Sequence, residues 1–341
     1  LNVLLLTAGI AVFCAILYKA DPQRLWEEIR HIGPGIFYII LFPVTWTILN
    51  TLGWYTSTGA AHKSVSLRRM LYVRQAGEAL NYIIPSGYMG GEPLKAYLLK
   101  KDLPMTQCLS SVIIAKTTQT IGQLLYFMIG ILFALFVIDI SLTMKITFVS
   151  TILSLSAGVL LFSLFQQKGI FSLFLGLTRK VGIGKELFSN MDQKAREVDA
   201  YIKKLYREDR KYFILSILLH FTGWLFGIME IILIMTLLGE RITVAEAFLA
   251  ATLTSLVSAS GFFIPGSLGA FELGHFYVFQ LIGQDPAIGL AVGILRRIRE
   301  LAWVGIGLFI FSVLGGKRLL KKEEKKVEPV IEGETPPISD H

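Results

Sequence analysis

The chain has 341 residues, of which 53% are hydrophobic and only 17% charged, with a formal net charge of +8. Soluble domains carry about 25% charged residues, and the deficit here coincides with long apolar runs. That combination excludes a soluble globule, a disordered chain and a coiled coil. At about 20 apolar residues per crossing of a ~30 Å hydrocarbon layer, the chain has room for roughly six to eight membrane segments.

In chain order, 1–18 reads as a first span, because no small-x-small cleavage site precedes the charged stretch that follows it. Further apolar segments fall at about 34–60, 106–138, 141–166, 212–238 and 287–314. Two others, about 66–100 and 244–282, are broken near their middles by proline and glycine. The polar stretch 168–211 holds eleven Lys and Arg against six acids and is cytoplasmic by the positive-inside rule. Within it, LFSNMDQKAREVDAYIKKLYRE reads as an amphipathic helix lying on the cytoplasmic leaflet. Residues 1–315 read as a single transmembrane domain, and 316–341, beginning at Gly316-Lys317-Arg318, as a disordered cytoplasmic tail. The expected fold is an all-α polytopic membrane protein of about six transmembrane helices, with both termini cytoplasmic.

The two cysteines, Cys14 and Cys108, and the scattered His31, His62, His220, His275 and His341 offer no disulfide framework, metal-ligand spacing or cofactor motif. The excess of Lys and Arg reports topology and contact with anionic lipid before it reports nucleic acid.

The broken segments resemble each other. NYIIPSGYMGGEPL (81–94) and GFFIPGSLGAFELG (261–274) superpose without gaps at an offset of 180, matching Ile84 with Ile264, Pro85 with Pro265 and Glu92 with Glu272. The same register pairs Tyr97 with Tyr277 and Lys116 with Arg296. The turn residues are Pro85, Gly87, Gly90 and Gly91 in the first copy and Pro265, Gly266 and Gly269 in the second. Three crossings separate the copies, so repeat A (about 34–138) and repeat B (about 212–314) face opposite sides, each with a re-entrant helical hairpin. Irregular backbone at membrane depth is tolerated only against protein or a wet cavity, so the two hairpins predict a polar cavity between them.

Lys116 and Arg296 lie ten residues inside helices starting near Thr106 and Pro286, a depth of ~15 Å. Arg296, Arg297, Arg299 and Glu300 interrupt an otherwise apolar span, with Arg296 facing Glu300 at i,i+4. Gln119, Thr120 and Gln123 share a stripe with Lys116. A mid-bilayer Arg costs ~2.5–3.5 kcal/mol even on the lenient insertion scale, so these cations need partners. Two readings stay open. The cations pair with Glu92, Glu272 and Glu78 to brace the repeats, or they bind an anionic substrate through bidentate forks. In the second, Glu92, Glu272 and Glu300 act as counter-ions and gates.

The motif residues are Asn81-x-x-x-Pro85, Gly91-Glu92-x-x-Lys95-x-Tyr97-Leu98-Leu99, Pro265-Gly266-Ser267-Leu268-Gly269-x-x-Glu272 and the arginine-bearing last span. In these the chain resembles the flippase-like membrane proteins that share the transmembrane region of lysylphosphatidylglycerol synthase. The resemblance implies a protein of a bacterial or archaeal cytoplasmic membrane that translocates a polar lipid or lipid-linked sugar. No counterpart of the synthase's soluble aminoacyl-transferring domain is read, so a transporter rather than an enzyme is expected. The alternatives are a secondary transporter of a small soluble anion and a non-transporting membrane partner of a lipid or glycan enzyme. A lateral cleft lined by Tyr82, Tyr88, Phe262 and Phe263 would favour the lipid reading.

Overall fold

The computed structural model describes residues 32–59, 64–84, 90–138, 141–173, 175, 192–260 and 269–316, together with residues 23, 26, 27 and 30. The expected first span, the tail, Pro85, Gly87, Tyr88, Phe262, Phe263, Pro265 and Gly266 lie outside the described residues. No strand occurs among the described residues. A 3-10 turn at Gly33–Gly35 leads into α1 (Ile36–Leu41) and α2 (Val44–Thr56). Then come α3 (Leu67–Ile83), α4 (Glu92–Leu99), α5 (Met105–Val137), α6 (Leu142–Lys168) and α7 (Asp192–Arg207). The last four are α8 (Arg210–Leu237), α9 (Val244–Ser260), α10 (Ala270–Leu281) and α11 (Pro286–Phe311).

Local chemistry sets several of these ends. Ser66 caps α3 by accepting the Arg69 N–H at 3.2 Å, and Ser141 caps α6 by accepting that of Met144 at 3.3 Å. Asp285 accepts the Ala287 N–H at 2.8 Å, and Pro286 starts α11 where a missing N–H costs nothing.

Among the described residues four helical stretches are long and apolar enough to cross a membrane: Gly33–Thr56, Met105–Val137, Leu142–Lys168 and Arg210–Leu237. α6 is mostly exposed along its apolar stretch, with Ile152 buried, as suits a helix that meets lipid on most of its surface. The 26 residues of α11 span ~39 Å, also long enough, but carry the charged quartet in the middle.

α2 lies along α8, α3 against α11 and α9 against α5. α4 packs on α5 as α10 packs on α11. One buried apolar cluster joins Ile231, Ile234 and Met235 of α8 to Phe279 of α10 and Val292 and Leu295 of α11. A second joins Trp54, Met70, Val73, Leu99 and Val112, and it also contains Val65 and Leu103. The chain therefore enters α3 and leaves α4 at one end of the molecule. α8 runs from that end, where Asp209 lies beside Gly59, to the other. There Gln284 Nε2 donates to the Arg241 carbonyl at 3.4 Å, holding the start of α9 near the end of α10.

Asn81 stitches α3 to α4. Its Oδ1 accepts the Gly91 N–H at 2.6 Å, and its Nδ2 donates to Glu92 Oε1 at 2.9 Å. Gly91 is required for this approach, because a Cβ there would stand 1.9 Å from the Gly77 carbonyl oxygen. Backbone cannot step aside as a flexible side chain can. Gly91→Ala should lower stability by more than the ~1–3 kcal/mol usual for overpacking, read as the thermal midpoint in detergent; an unchanged midpoint would mean that α3 and α4 are not held this close.

One expectation needs correction. The apolar stripe of α7, Val198, Ile202 and Leu205, is buried against Ile114 of α5 rather than laid on lipid. α5 and α6 offer this stripe area, and the tyrosines of α7 are satisfied by α6 and by the residues after α2. Tyr206 donates to Gln166 Oε1 at 2.8 Å, Gln166 donates to Thr117 at 2.9 Å, and Tyr201 donates to the Thr58 carbonyl. Asp199 takes the backbone N–H groups of Phe171 at 3.2 Å and Ser172 at 2.9 Å.

Candidate functional site: a buried ion-pair cluster

The last span brings its three arginines to two different faces. Arg296 donates from Nε to Glu230 Oε2 at 3.1 Å, and from Nη1 to His275 Nε2 at 3.0 Å and Thr254 Oγ1 at 3.4 Å. Arg299 shares Glu230, at 3.0 Å from Oε1, and reaches Glu300 at 3.5 Å. Arg297 turns the other way, donating to Glu272 at 2.9 Å, Tyr82 at 2.6 Å and Glu300 at 3.2 Å. Glu300 therefore pairs with Arg297 and Arg299, and the i,i+4 pairing with Arg296 read from the sequence is replaced by Glu230. The reason is tertiary. Glu230 of α8 is 0% exposed and opposes the face of α11 that carries Arg296 and Arg299, and a buried carboxylate must be matched by charge.

Glu272 is likewise 0% exposed, and both its oxygens are taken, one by Arg297 and one by the Gly269 N–H at 2.9 Å. Gly269 has φ 79°, in the left-handed region that favours glycine, and so aims its N–H back at the glutamate. His275 Nδ1 faces the Phe271 carbonyl at 2.8 Å while Nε2 accepts from Arg296, which fixes the neutral tautomer.

On the other side, Lys95 Nζ lies 2.8 Å from Glu78 Oε1 and 2.9 Å from Glu92 Oε1. Lys116 approaches Glu92 at 3.8 Å, and Arg74 meets Glu78 at 3.5 Å. His220 Nδ1 is 2.6 Å from Asn50 Oδ1, which makes it the donor, because the Asn50 amide N–H already goes to the Trp46 carbonyl. Among the described residues the interior set comprises six cations (Arg74, Lys95, Lys116, Arg296, Arg297, Arg299) and five carboxylates (Glu78, Glu92, Glu230, Glu272, Glu300). The balance is one positive charge.

These groups surround three cavities. The first, about 240 Å³, is lined by Trp46, Arg74, Gln119, Glu230, Arg296 and Arg299 among others. The second, about 260 Å³, shares Trp46, Arg74 and Arg299 and adds Glu78, Tyr82, Glu300 and Trp303. The third, about 20 Å³, has space for a water between Glu92, Lys95, Lys116, Gln119 and His220. Arg74 is in the wall of all three. Of the residues singled out in the sequence, Arg296, Arg299, Lys116, Gln119, Glu92 and Glu300 line cavities, whereas Glu272 and Arg297 lie outside the linings and Arg297 reaches the second cavity through Tyr82 and Glu300. Gln123 is half-buried outside all three linings, and Gly90 and Gly91 form the turn before Glu92. Sequence reasoning missed Arg74, Glu230, His220 and His275. Glu230 had a usable signal, as a single carboxylate in the apolar run FGIMEIILIM.

The transmembrane region of lysylphosphatidylglycerol synthase matches residues 2–308 of this chain. The chain belongs to that family. Within the wider set of similar proteins, a "UPF0104 membrane protein" of Methanothermobacter thermautotrophicus is 22% identical over 328 residues, covering 92% of this chain and 93% of the relative. The "UPF0104 membrane protein PH1989" of Pyrococcus horikoshii is 25% identical over 346 residues, covering 94% and 97%. No solved structure matches the chain significantly. Family and helices together make it a multi-pass helical membrane protein, of a family found in archaea.

Proposed function

We propose that the chain is a flippase-like transporter that moves the anionic head of a membrane lipid or lipid-linked sugar across the cytoplasmic membrane. The observation that carries this reading is the interior cluster with its surplus cation, set around cavities that share wall residues. Such a cluster is costly in hydrocarbon and is retained where it meets a ligand. The head's phosphate docks against Arg74 and Arg299, the guanidiniums common to the two larger cavities, while the tails stay in the bilayer. Arg296, Arg297, Glu230 and Glu272 act chiefly as the brace that holds the site open. Glu78 and Glu300, at 29% and 26% side-chain exposure, flank this position and keep Lys95 at 2.8 Å and Arg297 at 3.2 Å as their partners when the anion docks.

Alternating access follows from the repeat. In this reading 1–315 is one domain of six spans with two opposed re-entrant hairpins, α3–α4 and α9–α10, and both termini are cytoplasmic. The offset of 180 that relates Glu92 to Glu272 and Lys116 to Arg296 also relates Asn50 to Glu230, Lys95 to His275 and Gln119 to Arg299. All of these lie in the interior cluster or line its cavities. Single cysteines at Lys101 and Glu240, both exposed and each in the connection beyond one hairpin's end, should therefore react from opposite sides of the membrane. Labelling of both from one side would remove the inverted repeat.

Transport is tested in proteoliposomes with a fluorescent phosphatidylglycerol beside a fluorescent phosphatidylcholine. Protein-dependent movement of the anionic lipid alone supports the flippase. Movement of neither lipid, with uptake of soluble phosphate instead, replaces it by a soluble-anion transporter.

A further inference from the structure

We propose that the head group taken by this site is a hydroxyl-rich phosphate ester, a glycosyl or glycerol phosphate, and that an aminoacylated, cationic head is excluded. The inference rests on the anion-site reading and adds the chemistry of the remainder of the head.

Charge comes first. The 240 Å³ cavity presents Arg74, Arg296 and Arg299 against Glu230 alone. The 260 Å³ cavity shares Arg74 and Arg299 and adds Glu78 and Glu300. Those two carboxylates are already matched, Glu78 by Lys95 at 2.8 Å and Glu300 by Arg297 at 3.2 Å. An ammonium group entering either cavity meets guanidinium walls and no uncompensated negative charge, and its desolvation goes unpaid.

The aromatic groups point the same way. Trp46, Tyr82 and Trp303 line the second cavity, an arrangement that in other settings cages a cation. Here the Arg299 guanidinium already lies 5.1 Å over the Trp46 ring, so that face is occupied by a cation belonging to the protein. What the remaining surface offers is flat apolar area beside hydrogen-bonding groups. Gln75 donates its amide N–H to the Trp303 carbonyl at 3.0 Å, which leaves its side-chain oxygen as an acceptor. Glu78 and Glu300 retain lone pairs beyond their ion pairs. Acceptors next to aromatic faces suit a polyol, whose C–H faces lie on rings while its hydroxyls donate. With the phosphate at the wall shared by both cavities, between Arg74 and Arg299, the polyol occupies the second cavity.

The test is competition by intrinsic tryptophan fluorescence on the purified full chain. The probes are inorganic phosphate, glycerol 3-phosphate, a hexose 1-phosphate, phosphoethanolamine, dioctanoyl phosphatidylglycerol and its lysyl ester. Two or more new hydrogen bonds should make the hexose and glycerol phosphates bind about tenfold tighter than inorganic phosphate. Phosphoethanolamine should gain nothing over phosphate, and the lysyl ester should bind at least about tenfold more weakly than phosphatidylglycerol. Gln75→Leu, which deletes the acceptor oxygen, should narrow the ratio between hexose phosphate and phosphate about 3–10-fold. Equal binding of phosphatidylglycerol and its lysyl ester, or of phosphate and hexose phosphate, overturns the inference while leaving the anion site standing. If no phosphate-bearing probe binds, the anion site itself falls. A polyprenyl-linked hexose phosphate and long-chain phosphatidylglycerol, compared as competitors, then separate a glycan carrier from a phospholipid as the source of the head.

Discussion

Glu230→Gln is expected to lower stability by about 3–5 kcal/mol, the usual cost of removing one partner from a buried ion pair. The carboxylate is 0% exposed and holds Arg296 at 3.1 Å and Arg299 at 3.0 Å, so its loss takes the nearest carboxylate from two guanidiniums at once. The same change frees those guanidiniums for external anions. Added phosphate should therefore restore part of the lost thermal midpoint, in proportion to the logarithm of its concentration above the dissociation constant. A midpoint that falls and does not respond to phosphate would show that the pair Arg296 and Arg299 has no access to anions even without Glu230.

Arg74→Gln should behave in the opposite way. Arg74 has one long ion pair, 3.5 Å to Glu78, and Glu78 keeps Lys95 at 2.8 Å when the arginine is gone. The stability cost should be about 1 kcal/mol, the scale of a single hydrogen bond. Transport of the anionic lipid should nevertheless fall about 10–150-fold, because charge-assisted bonds from a guanidinium to phosphate are worth roughly 1.5–3 kcal/mol. Vesicle flipping and thermal midpoints measured on the same preparation separate the two variants. The expected result is that Glu230 governs folding and Arg74 governs transport. A large loss of stability without loss of flipping in the surviving Arg74→Gln protein would make Arg74 another brace.

The sequence made the frame readable for a physical reason. Apolar runs long enough to cross a bilayer announce themselves, and α5, α6 and α8 fall where those runs do. Proline and glycine in 81–94 and 261–274 marked the two broken segments, and the charges of α11 stood out because each is costly in an apolar helix. What stayed hidden was pairing between helices. Helical spacing allows Glu300 to meet Arg296 or Arg297 equally well, and the choice is made by Glu230 from α8, 66 residues upstream of Arg296. Arg74 was hidden by its neighbours. It follows Arg68 and Arg69 in a helix whose start reads as a basic cytoplasmic border, and only the fold carries it to the wall of all three cavities. α7 went to protein instead of lipid because hydropathy reports an apolar stripe without saying what covers it.

The central claim is that the interior cations hold the anionic head of a lipid. Lipid mass spectrometry on the purified protein tests it most directly, with the wild type and Arg74→Gln prepared side by side in the same detergent. The expected result is an anionic lipid or lipid-linked sugar phosphate retained by the wild type and lost from a variant whose thermal midpoint is nearly unchanged. Equal retention by both proteins, or retention of zwitterionic lipid alone, would contradict it.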